Sequence, residues 1–286
     1  MNKKVNNGRS RRSTLIIFID NIINELLITY RKLLFLFQYC LLGNYKFLKK
    51  NKALEKKFEG QKFFIIGLGP SLKNYDLLKL KDKNVIMVNR SFRLDNYSEL
   101  SPKFHLFIDP KLEMGIWPID YLDEILKKSK NVKIFLNADW FDSEKFLKFR
   151  NHEQIYWIKI HPVSLLNSKY SSDITQSISS GSTVIECAIT LSMYLGSNNI
   201  NILGVEGNGI SKLMCNQDSH WDGSDPDYKD HNSLLYANDM INASRGIRQW
   251  HAISKALTKK KIKIYNLTKE GILDAYEYKN FEDSLN

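Results

Sequence analysis

The chain has 286 residues, 43% of them hydrophobic and 12% aromatic, enough for one sizeable core and too apolar for a disordered protein. Its formal charge of +11 is localised: residues 1–62 carry fourteen Lys/Arg against four Asp/Glu, while the other 224 residues carry 28 against 27. A body with no basic bias argues against nucleic-acid binding. Three scattered cysteines (Cys40, Cys187, Cys215) without a CxxC argue against a disulfide framework or a zinc site.

The N-terminal arm comes first in the chain. Within residues 14–42, Leu15, Phe18, Ile19, Ile22, Ile23, Leu26, Tyr30, Leu33, Leu34 and Phe37 recur at three- and four-residue spacing, as on one broad helix face. Asp20, Asn21, Asn24, Glu25, Arg31 and Lys32 interrupt the run before it reaches the roughly 18 apolar residues of a membrane span. Asp20 and the lack of a small-x-small site also disfavour a secretory signal. Two alternatives stay open. The helix lies on an anionic membrane surface between the basic flanks Arg9–Arg12 and Lys46–Lys57, or it packs on the body or on a second copy, as a homo-oligomer would. The first is favoured, with a peripheral location on the cytoplasmic face of the inner membrane. The expected division is an arm, residues 1–61, and a single nucleotide-binding domain, residues 62–286.

In the body, apolar runs at 63–67, 84–89, 104–108, 132–136, 155–159, 199–204 and 262–266 alternate with helical patterns at 118–129, 142–150, 182–196 and 234–258. That alternation predicts an α/β, doubly wound, mostly parallel, Rossmann-like sheet. Ligands of such sheets bind beyond the carboxyl ends of the strands. The first strand runs into Gly67-Leu68-Gly69-Pro70-Ser71, where backbone N–H groups could approach an anion and a following helix N-terminus would add positive charge. The spacing is neither the dinucleotide fingerprint nor a P-loop, and an ordinary strand-to-helix turn is the plainer alternative. Asn89, Asp109 and Glu206 follow later strands. Ser180, Gly181 and Ser182 precede a helix, and read equally as a second anion or ribose site or as an N-cap run.

Residues 206–233 are polar and too long for a simple connection, which predicts a lid. Inside it His220 is the acid/base candidate, with Asp218 and Asp222 near enough in sequence to orient it. Asp222, Asp225 and Asp227 could hold Mg²⁺ or Ca²⁺ through oxygens, without the EF-hand spacing.

With these residues in place, the chain over roughly 62–275 resembles the bacterial lipooligosaccharide sialyltransferases that use CMP-sialic acid. It is also similar to the related MptE-like domain of motility-associated flagellin glycosyltransferases. The resemblance rests on Ile65-Ile-Gly-Leu-Gly-Pro-Ser-Leu72, Val88-Asn-Arg-Ser-Phe92, Phe107-Ile-Asp-Pro110, Ile178-Ser-Ser-Gly-Ser-Thr183, Ile202-Leu-Gly-Val-Glu206 and Asn216-Gln-Asp-Ser-His220. It implies a nucleotide-sugar donor and inverting transfer with no obligatory metal. His220 would be the general base, and Gly67, Gly69, Ser71, Asn89, Ser180 and Gly181 would hold the nucleotide. Leu68 stands where the sialyltransferases have asparagine, Asp109 replaces another asparagine, and their phosphate-holding tyrosines have no counterpart after Gly204.

The expected function is therefore transfer of a sialic acid- or Kdo-like sugar from a CMP-type donor to a cell-surface glycan precursor, lipid-linked where the arm meets a membrane. Catalysis is assigned to His220 and Asp218. Donor contacts are assigned to Gly67, Gly69, Pro70, Ser71, Asn89, Asp109, Ser180, Gly181, Ser182 and Glu206. No cofactor is expected, with Mg²⁺ as the variant. The alternatives are a Mg²⁺-dependent pyrophosphokinase of the MptE-like type and a non-catalytic subunit of a glycan assembly complex.

Overall fold

A computed structural model describes residues 11–165, 170–181, 183–223 and 232–286. Nine strands form its sheet: β1 (Lys62–Ile66), β2 (Asn84–Val88), β3 (Phe104–Phe107), β4 (Lys133–Asn137), β5 (Ile155–Pro162), β6 (Ser177–Ser180), β7 (Asn199–Leu203), β8 (Lys263–Asn266) and β9 (Glu277–Tyr278). Their order is β6-β5-β4-β3-β2-β1-β7-β8-β9, and every neighbouring pair is parallel. The fold is α/β and doubly wound.

The apolar runs form strands because both faces of the sheet are covered, so successive side chains are buried in opposite directions. Phe64, Ile66, Val85 and Met87 enter one core with Leu72, Phe92, Leu122 and Phe146. Phe63, Ile65, Ile86 and Val88 enter the other with Ile189, Trp250 and Ile253. The first core is covered mainly by short elements, α2 (Tyr97–Leu100), α3 (Pro110–Glu113), α4 (Tyr121–Lys128), α8 (Phe281–Ser284) and 3₁₀ turns, and the second by two long helices, α5 (Val184–Tyr194) and α7 (Ser233–Lys259), with α6 (Gly209–Met214) preceding α7.

Three sequence expectations are corrected. No α-helix follows the glycine loop; Pro70–Asn74 is a single 3₁₀ segment, closed by Leu72 N–H to Gly69 C=O at 3.1 Å and Tyr75 N–H to Leu72 C=O at 3.2 Å. So short a segment sums little dipole. The helix predicted at 142–150 is likewise 3₁₀, Glu144–Phe149.

The third correction concerns the boundary at residue 61. Leu48 and Leu54 are 0% and 1% exposed in the two cores. Asn51 donates to the carbonyls of Trp157 at 2.8 Å and Ile174 at 2.6 Å. The body thus begins before β1, near Lys46.

Helix α1 (Arg11–Cys40) precedes that point. No helix among the described residues is long and apolar enough to cross a membrane. Ile28 and Phe35 are buried against the body. Asp20 accepts from Arg245 and Arg248 of α7, each at 2.7 Å, and Glu25 accepts from Ser164 Oγ at 2.5 Å and Leu165 N–H at 3.1 Å. Burial opposes ionisation of Asp20, but the two arginines outweigh it and hold the carboxyl below its usual range.

Candidate active site

The chain leaves β1 through β2 to β6 on one side and returns to place β7 on the other, so the sheet order reverses between β1 and β7. Beyond their carboxyl ends lies a cavity of about 490 Å³, where such folds bind ligands. Gly67, Leu68 and Gly69 line it from β1, Asn89 from β2, Asp109 and Lys111 from β3, Gly204 to Gly207 from β7, Ser219 and His220 from the predicted lid, and Asp239, Asn242 and Trp250 from α7.

The glycine loop is a close backbone crossing. Gly67 N–H donates to Leu203 C=O and Gly69 N–H to Gly204 C=O, each at 2.8 Å. A Cβ on Gly67 would stand 2.3 Å from the Gly204 carbonyl. Ser71 N–H donates to Glu206 Oε1 at 2.9 Å. The buried Glu206 carboxylate fills the room beside Gly69, so three donors expected for a phosphate are committed within the protein.

Asn89 is held in an unusual way. Its φ of 44° is left-handed, and its carbonyl accepts from His105 Nε2 at 2.8 Å. That donation places the His105 lone pair on Nδ1, which accepts from Tyr97 Oη at 2.9 Å. Burial pushes the His105 imidazole down to about 4, against the hydrogen bond to Asn89. The buried amide oxygen of Asn89 has no hydrogen-bond partner among the described residues, and Asn89 lines the cavity; a strained residue with an unsatisfied polar group is the kind that marks a ligand position.

The described segment 219–223 is latched onto this floor. Trp221 N–H donates to Leu68 C=O at 2.8 Å, Asp222 pairs with the buried Arg90 at 3.7 Å, and His220 and Gly223 exchange backbone hydrogen bonds at 3.2 Å. His220 thereby reaches the cavity, with Nδ1 3.0 Å from Ser219 Oγ. Asp222, expected beside His220, faces Arg90, and Asp218 is exposed.

The serine run at β6 behaves mainly as structure. Ser179 N–H donates to Ser171 C=O, and Ser179 Oγ accepts from Ser171 N–H. Thr183 caps α5, its N–H donating to the buried Glu186 at 2.8 Å. A Cβ on Gly181 would meet Glu186 Oε1 at 2.4 Å. Burial pushes the Glu186 carboxyl up to about 7, against hydrogen bonds from Thr183 and Trp250. Ser180 and Gly181 line a second cavity of about 530 Å³, with Arg31, Asn137, Asp139 and His161. Asn89, Asp109, Thr183 and Val184 border both cavities.

Of the residues singled out from sequence, Gly67, Gly69, Asn89, Asp109, Glu206 and His220 meet in the first cavity, and Ser180 and Gly181 meet Asn89 and Asp109 in the second. Pro70, Ser71 and Asp218 line neither. Ser182, Asp225 and Asp227 lie outside the described residues, as does most of 206–233 beyond Gly223. Among the described residues no group of three or more His, Cys, Asp or Glu is placed to hold a metal ion. Lys111, Asp239, Asn242 and His161 were not anticipated. Only Lys111, four residues past the end of β3, carried any sequence signal.

Residues 39–207 match the family described as 6-hydroxymethylpterin diphosphokinase MptE-like. The chain belongs to the MptE-like family. The MptE-like match spans β1 to β7 and so both sides of the switch point. A solved structure, the sialyltransferase CstII from Campylobacter jejuni in complex with a substrate analogue, cytidine-5'-monophosphate, is 16% identical, with a TM-score of 0.42 over 80% of this chain and 87% of that one. No curated protein matches the sequence.

Proposed function

We propose that the switch-point cavity binds a nucleotide-activated sugar of the CMP type and that the protein transfers the sugar, with inversion, to a glycan acceptor hydroxyl. One observation carries this reading: His220, on a segment latched to the glycine loop, lines the same cavity as Asn89, whose buried amide oxygen is unpaired among the described residues. In the reaction the acceptor oxygen attacks the anomeric carbon while His220 removes its proton. The bond from that carbon to the donor phosphate breaks, and the nucleoside monophosphate leaves with the electron pair. Lys111 stands in the cavity wall to balance the leaving phosphate.

A second reading has a specific basis. Asp109, Glu206 and Asp239 line the cavity with Lys111, and carboxylates with a cation also suit diphosphate transfer from a Mg²⁺–nucleotide, the activity in the family's description. Calorimetric titration of the full chain separates the two. The transferase reading expects CMP to bind equally with and without EDTA. Binding of ATP only with Mg²⁺, and none of CMP, would replace it with the kinase reading. Binding of neither would favour a non-catalytic partner subunit.

A further inference from the structure

Helix α1 is built inside out. At about 100° per residue, Ile17, Asp20, Asn21, Asn24, Glu25, Ile28, Lys32, Phe35, Gln38 and Tyr39 fall on one half of its circumference, a mostly polar set, and these are the buried or half-buried positions on the side of the body. The opposite half, about 180° wide, is apolar almost throughout and exposed: Phe18 53%, Leu26 65%, Leu33 62% and Phe37 51% are representative. The polar half cannot turn outward without breaking the Asp20–Arg245, Asp20–Arg248 and Glu25–Ser164 contacts. An apolar face this large on a soluble protein marks an interaction surface.

Width and charge select the occupant. A partner helix covers a stripe of about 100°, whereas a lipid leaflet covers a half-cylinder. Basic residues lie at both ends, Arg11 and Arg12 in sequence before the face and the exposed Lys46, Lys49 and Lys52 after it. We propose that α1 seats the protein on an anionic lipid leaflet, its outward half below the headgroups and its polar half still clamped to the body. Arg31 of α1 borders the second cavity, so docking places that cavity at the membrane plane. If the transferase reading holds, its acceptor is then the polar head of a membrane-anchored molecule.

The test is flotation of the full chain with vesicles, and it does not depend on any activity. Vesicles with 30% phosphatidylglycerol should carry the protein upward, phosphatidylcholine vesicles at least tenfold less, and 0.5 M salt should weaken the capture. Leu26→Asp with Leu33→Asp should abolish capture while CMP binding persists. Cys40, exposed at the end of α1, offers a readout that leaves the apolar face intact. Labelled with an environment-sensitive dye in a Cys215→Ser background, it should shift to the blue on anionic vesicles. Protein that stays at the bottom with both vesicle types, or a stable dimer that hides Cys40 and ignores lipid, would overturn the proposal. Failure to bind CMP would leave the flotation result standing and count only against the transferase reading.

Discussion

A side chain at position 69 would put its Cβ 1.7 Å from Glu206 Oε2. The glycine there makes room for the protein's own carboxylate. Gly69→Val should expel that buried group from Ser71 N–H, at a cost of roughly 1–3 kcal/mol, and calorimetry should show a lower melting temperature even without nucleotide. Glu206→Gln keeps the acceptor and should melt near the wild type. On the proposed transferase reading, His220→Ala should lower turnover roughly 10²–10⁴-fold with donor affinity retained, measured by titration and single-turnover kinetics. Near-wild-type turnover would remove His220 from the chemistry. Glu186 carries a pH signature. Its folded value of about 7 lies above that of an unfolded carboxyl, so its stabilisation is complete at low pH and lost as pH rises through 7. Glu186→Gln keeps the acceptor for Thr183 and should therefore gain on the wild type between pH 5 and 8.5, by about 3 kcal/mol. The buried imidazoles of His105 and His161, both near 4, act in the opposite sense, losing stability as pH falls from the usual histidine range toward 4. The difference between variant and wild type isolates Glu186.

At the scale of elements, the strands were legible where their own side chains determine them. Phe63 to Ile66 and Val85 to Val88 are continuous apolar runs, and Ile200 to Leu203 is broken only by the buried Asn201, because both sheet faces are covered. Strand β6, Ser-Ile-Ser-Ser, owes its state to pairing with Lys159–Pro162, which no local pattern announces. The same division holds at the site. His220, Asn89 and the glycines sit in short motifs at strand ends. Asp239, Asn242 and Arg31 come from long helices whose packing alone brings them to the cavities. Helix α1 was legible in period but not in direction: its spacing shows an apolar face, and only the contacts of Asp20 and Glu25 show which half meets the body.

For the whole molecule, the join between arm and body decides what can be cut away. Deleting residues 1–60 removes the buried Leu48 and Leu54 together with the Asn51 hydrogen bonds. Each lost core leucine costs roughly 2–5 kcal/mol, so this truncation should aggregate or lose its cooperative melt, as size-exclusion chromatography and calorimetry would show. A soluble, cooperatively melting fragment would instead return the boundary to residue 61. The placement of β1 also sets the order of events during synthesis. Its partner β2 follows within about twenty residues, but its other partner is β7, where Phe63 faces Ile200 and Ile66 faces Leu203. Until the ribosome has released that distant strand, this interior strand of the finished sheet is an edge strand, its backbone N–H and C=O groups on that side unpaired. Long-range parallel pairing is slow, and a bare apolar edge invites other chains. The nascent protein therefore carries an open sheet edge until just before the crevice at the switch point closes, and α1, with its apolar half, has been outside since the beginning.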